Sequence, residues 1–152
     1  MREAIHLLRK AIIGRLTGQI TLGALILPVY NRVPSNAPDF YIKVYSVDTV
    51  EVDQNNTSYA METTTRIEVV TKFKADDGGE LDSNIAMSQV MELVRTRTPN
   101  YFDLSLDGFK VYTSVIGMVA YRTEDLKDYT YFRAILDLEN RIEQLPNGMA
   151  RN

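Results

Sequence analysis

The sequence predicts an α+β fold: a mixed, mainly antiparallel sheet with one long hairpin, packed against two amphipathic helices. Three observations carry this. Between Ala60 and Lys74, Met61, Thr63, Thr65, Ile67, Val69, Thr71 and Phe73 share one parity. Glu62, Thr64, Arg66, Glu68, Lys72 and Lys74 share the other, and Val70 alone breaks the pattern. A period of two rich in β-branched residues is a strand with one face on a core and one in water. Next, Asp76-Asp77-Gly78-Gly79 stops that strand, because glycine supplies the positive φ of a tight reversal. Finally, Ala86, Val90, Leu93 and Val94 recur at helical spacing, widened by Met87 and Met91.

The remaining elements arrange themselves around this stretch. Met1 to Thr17 predicts a helix with Ile5, Leu8, Ile12 and Leu16 in one row. Gly18 to Leu27 reads as a connection holding an edge strand, and Val29 to Val33 as a short strand between Pro28 and Pro34. Phe40, Ile42 and Val44 open a strand whose continuation through Val47, Val50 and Val52 changes parity, which predicts a bulge or bend near Ser46 to Thr49. The polar run Asp53 to Tyr59 joins it to the central strand, making a hairpin long enough to project beyond the rest. In the second helix, Asp82 or Ser83 is the expected N-cap, and Pro99 and Asn100 the terminator. That helix spans roughly 23 Å at about 1.5 Å per residue.

Farther on, Asp107-Gly108 predicts a hairpin turn, followed by a strand over Phe109 to Tyr121 with Phe109, Val111 and Thr113 on one parity and a bulge at Gly117. Thr123 to Asp128 is a charged turn. Tyr129 to Ile142 is the closing strand, with Phe132, Ala134, Leu136 and Leu138 facing inward and helix as the rival for Glu139 to Leu145. Residues 1–145 therefore form one domain, and 146–152 are expected to be a flexible tail. A chain of 152 residues is long enough to bury a sizeable core unaided.

Composition narrows the chemistry. There is no cysteine, which removes thiol catalysis, disulfides, thiolate zinc sites and iron–sulfur clusters. The net charge of −3 argues against a general nucleic-acid binder. The N-terminal apolar residues are interrupted by Glu3, Arg9, Lys10 and Arg15, so neither a signal peptide nor a membrane span is expected, and the chain is read as soluble and made in the cytoplasm.

Catalytic groupings are equally sparse. His6 is the only histidine and falls on a charged helix surface beside Arg2, Glu3, Arg9 and Lys10. The acidic cluster Asp76, Asp77, Glu80 and Asp82 lacks the alternating register of a calcium loop and fits a solvated turn and helix start. No phosphate-binding loop, dinucleotide fingerprint or nucleophile elbow occurs. The nine tyrosines fall mainly in strands, Tyr41 and Tyr45 on one face and Tyr129 and Tyr131 on another, a composition suited to packing or to a protein interface. Catalytic, cofactor-binding and metal-binding residues are all expected to be absent.

Three places resemble the tail-terminator (tail completion, or minor tail) proteins of long-tailed bacteriophages. The first is the N-terminal helix followed by Val29-Tyr30-Asn31-Arg32-Val33-Pro34 and Pro38-Asp39-Phe40-Tyr41-Ile42. Arg66 to Phe73, with its glycine turn and the helix Ser83 to Val94, is the second, and the closing strand Tyr131 to Leu138 is the third. The chain departs from the pattern where Asp39 separates Pro38 from the aromatic pair, and where Lys72-Phe73 replace a frequent tryptophan.

The resemblance implies a virion structural protein of the tail or neck, assembled in the host cytoplasm as a homo-oligomeric ring, commonly a hexamer. Such a ring ends tail-tube polymerisation, meets tail-tube and head–tail connector proteins, and lets DNA pass without sequence-specific binding. Within that frame Asp48, Glu51, Asp53, Glu62 and Glu68 are the expected channel-facing acids, and Asp53, Gln54, Asn55, Asn56, Thr57, Ser58 and Tyr59 the expected contact loop. Solvated strand faces explain the same acids. Two alternatives stay open: another neck ring (stopper or portal adaptor), and a small ligand-binding or enzymatic domain, which needs a deep apolar pocket.

Overall fold

A computed structural model of the chain describes residues 1–53, 58–96 and 102–146. Its order is α1 (Ile5–Leu16), β1 (Thr21–Leu22), β2 (Leu25–Ile26), β3 (Val29–Tyr30), β4 (Phe40–Val52), β5 (Tyr59–Lys74), α2 (Leu81–Val94), β6 (Phe109–Asp125) and β7 (Tyr129–Gln144). A single 3₁₀ turn, Ser105–Asp107, precedes β6. The main sheet has the order β3-β4-β5-β7-β6; only the β3–β4 pairing is parallel. The α+β class expected from the sequence is the observed one.

Alternation in β5 decides how the layers stack. Met61, Thr63, Thr65, Ile67, Val69 and Thr71 are all buried, and their β7 partners Ile142, Asn140, Leu138, Leu136, Ala134 and Phe132 continue the same face. Both helices lie on that face. Leu8, Ile12 and Leu16 of α1 join Ala86, Met87, Val90 and Val94 of α2 in one core with Ile42, Val44, Ile67 and Leu136. No described helix covers the opposite face, where Glu62, Arg66, Glu68, Arg133, Asp137 and Arg141 project.

Among the described residues two buried polar atoms lack a partner, the Thr65 hydroxyl and Asn140 Oδ1. Thr63 and Thr71 direct their hydroxyls to the carbonyls of Asn140 and Phe132, at 3.5 and 3.1 Å, but the fully buried Thr65 hydroxyl meets no acceptor. A buried hydroxyl without a partner destabilises, so Thr65→Val is expected to raise stability by about 1 kcal/mol, read as a higher urea midpoint at unchanged slope.

Several expectations are corrected. Helix α1 starts at Ile5, not Met1, with Ala4 as its cap. The cap of α2 is Glu80; Ser83 lies buried inside the helix and donates to the Glu80 carbonyl at 2.8 Å. The helix ends at Val94, capped by the Arg95 N–H on the Met91 carbonyl, whereas Pro99 and Asn100 fall outside the described residues. Only Val29 and Tyr30 of the proline-bounded segment pair with β4, and Ile42 also donates to the Pro28 carbonyl.

The 18–27 segment is no edge strand of the main sheet. It folds as a separate two-stranded ribbon, held to α2 where Gln89 accepts from the Thr21 N–H (2.9 Å) and donates to the Thr21 carbonyl (2.7 Å). Asp107-Gly108 joins no hairpin; Gly108, at φ 90°, closes the 3₁₀ turn and launches β6. The rival helix over Glu139 to Leu145 is overruled because β7 runs to Gln144, clamped between β5 and β6.

The predicted bulges in β4 and at Gly117 are present as register shifts between Ser46 and Asp48 and between Ile116 and Met118. A further shift at Tyr112 turns Thr113 away from the core, against its expected parity with Phe109 and Val111. Nor does the β4–β5 hairpin stand clear of the rest. Tyr59 pairs with Gln144 and Gln144 with Phe109, so the sheet stays at least three strands wide up to the hairpin's mouth. The expected turn at 123–128 is shorter, because β6 continues to Asp125.

Candidate assembly surfaces

The uncovered sheet face is organised by cross-strand rows. One row is Tyr45–Arg66–Asp137–Met118, and the next but one toward the opposite end is Tyr41–Val70–Arg133–Arg122. Arg66 grips Asp137 in a two-pronged pair at 2.7 and 3.0 Å, which pushes the guanidinium further up from its ordinary value. Tyr45 donates its hydroxyl to Glu68 at 2.5 Å. Arg133 lies 3.9 Å from Glu68 and 3.5 Å from Glu124. Beneath these long side chains Val70 and Ile135 are buried, sheltered by the aliphatic stems of their neighbours.

A shallow depression of about 480 Å³ opens here, lined by Tyr45, Arg66, Glu68, Met118, Arg122, Thr123, Glu124, Arg133 and Ile135. Its walls are ion-paired and its apolar floor is small, unlike the deep apolar pocket that the small-molecule alternative needs. Among the described residues no group of three or more His, Asp or Glu side chains is placed to hold a metal ion. His6 sits exposed on α1 with Nδ1 2.7 Å from Glu3. No described helix is long and apolar enough to cross a membrane.

Burial raises the Tyr45 pKa above its usual 10, and the bond to Glu68 raises it further. Tyr112 shifts the same way, mainly through its hydroxyl's 2.8 Å bond to Glu143. Both groups are protonated in the folded and unfolded chain below about pH 10. As pH rises through and above that value the unfolded tyrosines ionise first, so this contribution to stability is lost. We expect the urea midpoint to fall as pH rises through and above about 10, and Tyr45→Phe to flatten the decline. An equal slope in the variant would show that the Tyr45–Glu68 bond has no part in it.

The five acids read from the sequence do not share one environment. Asp48 and Glu62 lie exposed on the uncovered face, on the hairpin's far half. Glu68 is on that face but engaged by Tyr45 and Arg133. Asp53, at the hairpin's mouth with φ 51°, forms an ion pair with Arg141. Glu51 pairs with Met61 and so falls on the helix-bearing side. The bulge at Val47 is the cause, since one extra residue inverts every later side chain. Within the expected contact loop, Ser58 is half-buried and Tyr59 exposed, while Gln54, Asn55, Asn56 and Thr57 lie outside the described residues. Tyr129 and Tyr131, opposite Lys74 and Lys72, share the uncovered face with Tyr41 and Tyr45, correcting their expected separation.

Both sheet margins escaped sequence reasoning. On the β4 side, β3 occupies only Ile42 and Lys43 and the Asn31 amide caps the Val44 carbonyl at 2.9 Å, so among the described residues the outer margin of β4 has no strand partner from Tyr45 to Val52. On the other side β6 has no strand partner among the described residues along its outer margin, where the Ser114 carbonyl accepts from Arg95 at 3.1 Å. The one available signal was chain order: a final hairpin inserted beside β5 leaves β6 outermost.

Fold and surface together define a class: a helix-backed, mainly antiparallel sheet with a charged open face and, among the described residues, two margins without a full strand partner. Among solved structures, a chain from "Virion of native gene transfer agent (GTA) particle" is similar. It superposes with a TM-score of 0.67 at 19% identity, over 90% of this chain and 94% of that one. At that identity the likeness establishes the shared fold. No protein-family model matches the sequence, and no curated protein does.

Proposed function

We propose that this chain is a virion structural protein that forms a ring at the head-proximal end of a viral tail, stops tail-tube polymerisation and joins tail to head. The observation that carries the reading is the fold shared, nearly end to end, with a chain of the gene transfer agent virion. Bare sheet edges and a paired, shallow open face support an assembly role over catalysis. The ring is homo-oligomeric, six copies by the resemblance, and touches tail-tube and connector proteins while DNA passes through its channel.

Within this reading the channel acids are Asp48, Glu62 and Glu68, with Asp53 near the mouth; Glu51 belongs to another surface. Acidic groups at the channel wall repel phosphates and let DNA slide. The loop Asp53 to Tyr59 is the contact with a neighbouring ring component. Residues 54–57 replaced by two glycines should leave a folded chain that no longer caps tails; normal tails from that variant would remove the loop's role.

The direct test is deletion of the gene in the producing virus, followed by electron microscopy. Overlong, headless tails are the expected result, and tails of normal length joined to heads would sink the proposal. Native mass measurement of the purified chain separates six copies from the twelve of a portal-bound adaptor.

A further inference from the structure

We infer that one half of the uncovered face, built on Lys43, Lys72, Lys74, Arg122 and Arg133, is a contact surface for the phosphate backbone of duplex DNA. This rests on the reading above that the face looks into the DNA channel, and adds that the channel wall changes sign along its length.

The sheet register sorts the charges. Those cations all lie beyond the Tyr45–Arg66–Asp137–Met118 row, toward the Lys74 end of β5. The acids on that half are already engaged: Asp137 by Arg66, Glu68 by Tyr45 and Arg133, and Glu124 by Arg133 at 3.5 Å. Asp39, just before β4, stands 4.0 Å from Lys72. Aromatic rings, which leave a cation's charge intact, hold several cations in place. Lys72 Nζ is 3.9 Å from the Tyr129 ring centre, Lys43 Nζ 4.8 Å from that of Tyr45, and the Arg133 guanidinium 5.2 Å from that of Tyr131. Toward the hairpin's mouth the balance reverses, with Asp48, Glu62, Glu139 and Glu143 set against Arg141 and Lys110.

Within the basic half one pairing calls for an anion. Arg122 lies directly opposite Arg133, and like charges facing each other across a ladder repel. Arg133 is offset by Glu68 and Glu124, whereas the exposed Arg122 meets no hydrogen-bond or ion-pair partner among the described residues. It is the exception on the wall of the depression that both arginines line. A phosphate entering there relieves the repulsion, and its oxygens match the guanidinium fork. A peptide strand would need free backbone N–H and C=O groups, yet β5 and β7 are paired on both sides here. Recognition on this face is therefore left to cationic side chains, which suits a stiff polymer of regularly spaced phosphates. Duplex held by this half and repelled by the acidic half is retained at one level of the channel without its sequence being read.

The purified full-length chain titrated against a short fluorescent DNA duplex, followed by anisotropy, reads this surface directly. Neutralising about four phosphates gives a slope of about −3.6 for log affinity against log salt, roughly a hundredfold loss between about 50 and 200 mM. Arg122→Gln and Lys74→Gln, both at exposed positions, should each weaken binding and shrink that slope by about 0.9. Lys110→Gln, the same change of charge on the acidic half, should leave the slope as it was. An equal loss in Lys110→Gln reduces the effect to net charge and overturns the surface. No binding at about 50 mM salt, by a chain that native mass measurement shows as a ring, overturns the surface and leaves the ring standing. Binding with the expected slope by a chain that stays monomeric supports the surface and removes the ring. Polyglutamate bound more tightly than duplex by the same side chains overturns DNA in favour of an acidic protein segment. A ring that disperses on Arg122→Gln sets that arginine against a neighbouring copy and overturns it as well.

Discussion

Leu136→Ala is expected to destabilise the fold by about 2–5 kcal/mol, a large share of the 5–15 kcal/mol that holds a typical domain folded. Leu136 is fully buried on β7, between Ile67 of β5 and Val119 of β6, on the face that carries both helices. A central strand held on both sides cannot shift to fill the space, so the loss combines transfer free energy with an open cavity. For a chain of this size each kcal/mol moves the midpoint by about 2–4 °C, giving a fall of roughly 5–20 °C in a thermal melt. Val119→Ala, at a half-buried position on the outermost strand, should fall by much less. Equal losses at both positions would contradict the packing described.

Gly78→Ala should cost about 2–4 kcal/mol, for two separable reasons. Gly78 has φ 79°, a left-handed conformation that strains any residue with a Cβ by about 1–2 kcal/mol. An added Cβ would also stand 2.3 Å from Cγ of Phe73. That ring has little freedom to yield, packed edge-on against Phe40 at 5.2 Å and Phe132 at 5.8 Å. Overpacking of this kind adds about 1–3 kcal/mol. Gly18, at φ 78° with nothing near its missing Cβ, isolates the conformational part. The difference between Gly78→Ala and Gly18→Ala in urea midpoints therefore measures the clash. If Phe73→Ala fails to recover part of the Gly78→Ala loss, the aromatic contact is not its source.

Gly117 gives the opposite outcome. Its φ is not in the left-handed range, and a Cβ there would meet only the flexible carboxylate end of Glu139. Two glycines that look alike as strand punctuation thus differ because one faces a clamped ring and the other a side chain that can swing aside.

Much of this could be read from residue order because local periodicity and core geometry agree. The row Ile5, Leu8, Ile12 and Leu16 and the odd-numbered positions of β5 from Met61 to Thr71 are buried as their spacing dictates. The bulge in β4 was visible as a change of parity. The bulge at Tyr112 was not, because an exposed tyrosine flanked by valine and threonine leaves no mark on the alternation. The two-stranded ribbon was missed for a related reason: it is fixed by a glutamine on α2, distant in sequence, which reads as an ordinary surface residue. The acids chosen for one channel face were separated by the same Val47 bulge, a shift of one residue with a large consequence for direction.

By itself the sequence determined the two helices, the four long strands, the inward face of β5 and the lack of cysteine chemistry, because each follows from short-range spacing or from composition. Tertiary structure alone decided that β7 enters between β5 and β6, that both helices share one side, and which strand margins are bare. Those outcomes depend on hydrogen-bond partners far apart in the chain. No local pattern records which neighbour a strand will choose.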